Sequence, residues 1–104
     1  MKFETLLKDF KEELSRIYGE NFSGLYLYGS YARGEDDAES DFDLIIVLTD
    51  FGDYWEEIQR TSEMVSDSSL KYNLSVCPVF VRESDWLNDD SPFLNNVRKE
   101  FVSV

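Results

Sequence analysis

Two aspartates one residue apart, Asp41 and Asp43, follow a glycine-serine pair, Gly29-Ser30, with ten residues between the pair and Asp41. On an extended strand, residues two apart point to the same side, so both carboxylates face one point while Phe42 turns into the opposite face. Two hard oxygen ligands at one point suit magnesium. Left bare, two like charges that close repel, whereas a divalent cation removes the penalty and bridges to the phosphates of a nucleotide. Gly29 has no side chain to hold the backbone away from phosphate, and Ser30 offers a hydroxyl and an amide near the positive end of a helical turn. The pattern is an anion seat beside a cation site, which neutralises charge and aligns an attacking group for in-line displacement at phosphorus.

The rest of the composition narrows the chemistry to those carboxylates. The chain has no histidine and one cysteine, Cys77. On sequence alone that removes disulfides, thiolate or imidazole zinc sites, and every mechanism that needs a histidine base. Cys77 sits in an apolar run without a cationic neighbour in sequence and reads as an inert small hydrophobe. Twenty-two acidic against ten basic residues give a net charge of -12, which argues against a protein that holds a phosphate backbone by counterion release, so direct nucleic-acid binding is not expected. The acidic run over residues 35–39 reads as a solvated loop, and Arg33 beside it as one member of a surface ion pair. Tyr26, Tyr28 and Tyr31, like Trp55 and Trp86, read as packing residues. No apolar stretch approaches the roughly 20 residues needed to span a bilayer. The start, Met1-Lys2-Phe3-Glu4, lacks an apolar signal region, so a cytoplasmic location without membrane contact is the expectation.

The elements that must position the site follow from periodicity. Phe3, Leu6, Leu7, Phe10, Leu14 and Ile17 recur at helical spacing and predict a helix over about residues 3–18, stopped by Gly19. Leu25-Tyr26-Leu27-Tyr28 is a short strand that runs straight into Gly29, and Tyr31-Ala32-Arg33 could make one helical turn before Gly34. Residues 42–48 are almost continuously apolar, as in a central strand covered on both faces, with Asp41 and Asp43 at its start. Asp53 followed by Glu56 resembles a capping box and opens a helix over roughly residues 53–71, with Trp55, Ile58, Val65 and Leu70 as its apolar positions. A third strand is expected over residues 73–81, with Pro78 marking an edge position or a bulge. Ser91-Pro92 starts a closing helix whose apolar face is Phe93, Leu94, Val97 and Phe101. At 104 residues, with no linker composition, residues 1–104 form one domain with one core and little material left for a separate substrate-binding unit.

Gly29-Ser30, ten residues, then Asp41-Phe42-Asp43 resembles the signature of the DNA polymerase β-like nucleotidyltransferase superfamily. Tyr31-Ala32-Arg33-Gly34, Ser40 and the closing segment from Ser91-Pro92-Phe93-Leu94 are similar to its minimal members, the antitoxin partners of prokaryotic HEPN-domain toxins. The resemblance implies an α+β nucleotidyltransferase fold, a small mixed β-sheet flanked by helices, with Mg2+ as cofactor and ATP as substrate. It maps the catalytic, metal-binding aspartates onto Asp41 and Asp43 and the nucleotide-binding pair onto Gly29 and Ser30. It further implies transfer of AMP to a hydroxyl, a tyrosine's, of a cognate HEPN toxin. Family members commonly add a third carboxylate from a neighbouring strand. The family pattern together with strand phase implies Asn73 at that position here, with Ser75 facing the same way, and neither is a carboxylate. A neutral amide serves poorly as a general base. The same fold could therefore neutralise a toxin by binding alone.

Overall fold

The computed structural model describes residues 3–34, 41–88 and 91–104. The acidic run 35–39, Ser40 and the side chain of Arg33 lie outside the described residues. In chain order the elements are α1 (Glu4–Tyr18), β1 (Phe22–Tyr28), α2 (Ser30–Arg33), β2 (Asp41–Leu48), α3 (Tyr54–Tyr72), β3 (Ser75–Arg82), α4 (Glu83–Asn88), α5 (Pro92–Glu100) and β4 (Val102–Ser103). The strands make one mixed sheet in the order β3-β2-β1-β4. β2 runs antiparallel to β1 and parallel to β3, and β4 pairs antiparallel with β1. This is the expected α+β architecture. β3, which carries Pro78, lies at an edge of the sheet, where a missing backbone donor is tolerated.

Period-two alternation divides the strand residues between two packed layers. Leu25, Leu27, Phe42, Leu44, Ile46, Leu48, Val76 and Phe80 face α1, whose Leu6, Leu7, Phe10 and Leu14 are buried against them. Ile45, Val47 and Val81 form the opposite layer with Leu94 and Val97 of α5. Trp86 of α4 stacks on Tyr26 at 4.5 Å between ring centroids, and Phe101 meets both rings edge-on, so this layer is closed by aromatic contact. Phe3, Tyr31 and Phe42 make a second aromatic group under α2, each pair 5.0 to 5.3 Å apart. The tyrosines and Trp86 thus pack as expected.

α3 starts where its capping residue predicts, the Asp53 carboxylate accepting from the Trp55 amide at 2.9 Å. Its buried face differs from the expected one. Glu57 and Thr61 are buried, whereas Trp55 is 62% and Leu70 80% exposed. Leu70 stands nine residues from Thr61, roughly two and a half helical turns, and Trp55 six residues away, roughly a third of a turn off the face, so neither can follow Thr61 inward. Glu57 is tolerated inside because the Tyr18 hydroxyl donates to it at 2.7 Å and Arg60 Nε at 3.0 Å. No described helix is long and apolar enough to cross a membrane.

Candidate active site

β1 ends at Tyr28, and Gly29 turns the chain into α2 with φ 78° and ψ -155°, a region open in practice to glycine alone. A Cβ built on Gly29 would stand 2.5 Å from Asp43 Oδ2 and 3.4 Å from its Cγ. The backbone therefore requires glycine, and an added side chain would push the Asp43 carboxylate aside. The turn ends on Gly34, left-handed at φ 73°, whose amide returns to the carbonyls of Ser30 and Tyr31. Ser30 opens α2, so the Gly29-Ser30 backbone and the Asp43 carboxylate are direct neighbours.

Asp41 and Asp43 are the first and third residues of β2. Asp41 is exposed, Asp43 half-buried, and Phe42 between them fully buried on the α1 side. The antiparallel register sets Tyr28 opposite Asp43, and the parallel register sets Cys77 opposite Asp43 and Ser75 opposite Asp41. Residues in register share a face, so Tyr28, Asp43 and Cys77 form one row across three strands, with Asp41 and Ser75 in the next row outward. Carboxylate oxygens of Asp41 and Asp43 and the sulfur of Cys77 all lie within 4.8 Å of one another. Among the described residues this is the one such cluster that could hold a metal ion, and its two hard oxygen donors fit a divalent cation.

Asn73 is placed elsewhere. β3 begins only at Ser75, and Asn73 is the C-cap of α3, left-handed at φ 53°, with its amide on the Ser69 carbonyl. Asparagine adopts that conformation more readily than most residues, which is why the helix stops there instead of the strand starting. The strand phase itself was legible, since Ser75 does face the aspartates, but one further step of two brings Cys77, which sequence reasoning set aside as inert. The signal that finds it is Val76 and Phe80: read as core positions, they turn Ser75, Cys77 and Val79 to the other face.

The electrostatics agree with this grouping. Burial pushes the Cys77 thiol above the usual cysteine range; Ser75 partly offsets this by hydrogen bonding, and the Asp41 and Asp43 charges raise it further. Burial, then the charges of Asp43, Cys77 and Tyr54, push Tyr28 up to about 12. Both groups are thus neutral near pH 7, and the carboxylates supply the negative charge that a cation would meet. A cleft of about 290 Å³ opens beyond the cluster, lined by Tyr54, Val79, Val81, Phe93 and Leu94 among others. Its walls are mixed, Arg82, Asp85 and Ser91 adding polar groups to the apolar lining.

The family described as nucleotidyltransferase domain matches residues 7–92. The chain is 32% identical over 84 residues to the Methanocaldococcus jannaschii protein named "Putative protein adenylyltransferase MJ0141", covering 81% of this chain and 84% of that one. Its fold is similar to that of a toxin-antitoxin crystal structure with AMP-PNP, with a TM-score of 0.62, 21% identity and coverage of 92% and 70% of the two chains. It is also similar to a structure of tri-AMPylated Shewanella oneidensis HEPN toxin in complex with MNT antitoxin, with a TM-score of 0.57, 17% identity and coverage of 95% and 69%.

Proposed function

The chain belongs to the nucleotidyltransferase domain family, and from that membership we propose that it is the antitoxin of a toxin-antitoxin pair, transferring AMP from ATP to a tyrosine hydroxyl of a HEPN-domain toxin. The observation that carries this reading is the approach of Gly29 to Asp43, close enough that a single added carbon would collide with the carboxylate. Such an approach joins a phosphate-binding turn to a metal-binding side chain. The adenylyltransferase name of the Methanocaldococcus jannaschii relative and the AMP-modified toxin bound by a protein of the same fold support the donor and the acceptor.

In this reading Gly29 and Ser30 seat the triphosphate through backbone amides and the serine hydroxyl. Asp41 and Asp43 would hold Mg2+, which when bound neutralises the phosphates and polarises the phosphorus under attack. The acceptor oxygen bonds to the α-phosphorus, the bond from that phosphorus to the bridging oxygen breaks, and pyrophosphate leaves. With no histidine in the chain, the hydroxyl proton goes to a carboxylate of the pair or to water. Purified protein with Mg2+, ATP and the toxin should add AMP-sized mass increments to toxin tyrosines, and the Asp41→Asn/Asp43→Asn double variant should add none. Wild-type protein that leaves the toxin mass unchanged refutes the reading.

A second reading is favoured by one observation: the β3 positions facing the aspartates are Ser75 and Cys77, and neither supplies a third carboxylate. A protein so altered could silence the toxin by masking it. If the double asparagine variant still protects cells that carry the toxin, masking is the mechanism.

A further inference from the structure

We propose that Cys77 is the third ligand of the cation site, and that it turns the site from magnesium toward a thiophilic divalent cation of the zinc class. The inference rests on the cation reading of Asp41 and Asp43 given above and adds a metal preference to it. Cys77 lies directly opposite Asp43 in the parallel register, and its sulfur stands within 4.8 Å of a carboxylate oxygen from each aspartate. Zinc bonds of about 2.3 Å to sulfur and about 2.1 Å to oxygen place tetrahedral ligands roughly 3.6 Å apart. Side-chain rotations of about an ångström therefore close the three donors on one ion. Water or a phosphate oxygen would complete the shell.

Ligand chemistry decides which ion gains. A thiolate is a soft donor that favours zinc-class cations, whereas magnesium requires near-octahedral oxygen ligation and gains little from sulfur. Magnesium would be held by the two carboxylates and the nucleotide oxygens, with the thiol left out. A zinc-class ion would take all three side chains, the sulfur-metal bond forming as the thiol gives its proton to the solvent. Its tighter hold would compete with magnesium for the same two aspartates and so restrain transfer.

The full chain, stripped of metal, can be titrated with Cd2+, a spectroscopically visible ion of this class. Because Cys77 is the only cysteine, an ultraviolet sulfur-to-cadmium charge-transfer band can be assigned without ambiguity. The expected result is a band that saturates at one equivalent, vanishes in Cys77→Ser, and needs at least about tenfold more Cd2+ in Asp41→Asn/Asp43→Asn. Cys77→Asp should lose the band and bind Mg2+ about tenfold more tightly, measured by competition with Mn2+. Cd2+ binding detected by calorimetry without the band overturns the sulfur ligand, and a band unchanged in the double asparagine variant overturns its sharing one ion with the aspartates. Mn2+ binding by the wild-type chain in that case leaves the nucleotidyltransferase reading standing. Failure of both the wild-type chain and Cys77→Asp to bind any of these ions, with or without nucleotide, overturns both.

Discussion

Replacing Gly29 by alanine separates the two demands made on that position. The first is backbone strain, because φ 78° with ψ -155° is a region that L-residues occupy at a cost of about 1–3 kcal/mol. For a chain of 104 residues, where each kcal/mol moves the midpoint by about 4–8 °C, the melting temperature should fall by roughly 5–20 °C. The second demand is the 2.5 Å separation between the new Cβ and Asp43 Oδ2. Ordinary contact begins near 3.4 Å, so the carboxylate must swing by about an ångström, a displacement that can cost about a hundredfold in rate at a reacting centre. Circular dichroism melts give the first effect, and calorimetric titration with Mn2+ and a non-hydrolysable ATP analogue gives the second. Gly34→Ala is the control: its φ of 73° is also left-handed, but its added Cβ meets no described atom within 4 Å, so it should lose about 1–2 kcal/mol of stability and keep cation affinity. A Gly29→Ala protein that melts lower yet binds Mn2+ and nucleotide as the wild type does would refute the claim that this glycine keeps Asp43 in place.

Ligand-linked stability supplies a direct test of the aspartates. With nucleotide and divalent cation at about a hundred times the dissociation constant, the wild-type protein should gain about 2.7 kcal/mol, and Asp41→Asn/Asp43→Asn should show almost none of that shift in a thermal melt. Tyr18→Phe removes the 2.7 Å hydrogen bond to the buried Glu57 carboxylate and leaves Arg60 as its remaining described side-chain partner, so urea denaturation should register a loss of about 1–3 kcal/mol. Tyr28, raised to about 12 in the fold, favours its neutral form there. Its contribution is complete below the ordinary tyrosine value and disappears as pH climbs from about 10 to about 12. The urea midpoint should fall across that window in the wild type and fall less in Tyr28→Phe. Cys77, likewise held neutral, should react with iodoacetamide more slowly in the native protein than in the urea-unfolded chain near pH 8, and equal rates would contradict the burial assigned to it.

Local patterns made much of this molecule legible. The apolar stripe Leu6, Leu7, Phe10 and Leu14 marks α1 because a helix face repeats within four residues, and Asp53 marks the start of α3 because a cap acts on the amides just after it. Gly29, Asp41 and Asp43 were readable for the same reason, since strand alternation and glycine geometry are local properties. The face of α3 was less accessible. Trp55 and Leu70 look like core residues by type, and only the docking of α3 beside α1, with Tyr18 reaching Glu57, selects the polar Glu57 and Thr61 instead. β4 is two residues long and exists through its pairing with Tyr26 and Leu27, so no run of strand-forming residues announces it. The four-residue offset between Asn73 and Cys77 arose at the junction of α3 and β3, where an asparagine reads equally as strand residue and as helix cap.

That junction decides what the third position of the site can be. β1 and β2 are antiparallel, so the end of β1 at Gly29 and the start of β2 at Asp41 meet at one end of the sheet by necessity. β3 is parallel to β2, so its start reaches the same end only because α3 carries the chain back along the sheet. At about 1.5 Å per residue its 19 residues cover about 28 Å, which matches the roughly 27 Å of the eight-residue strand β2. Whatever residue β3 then presents opposite Asp43 is fixed by register. Since side chains alternate, one residue added between Asn73 and Ser75 would turn Val76 toward the aspartates and Cys77 toward the α1 layer. Such an insertion should abolish the cadmium-sulfur band while preserving the Gly29-Asp43 contact, because that contact depends on β1 and β2 alone.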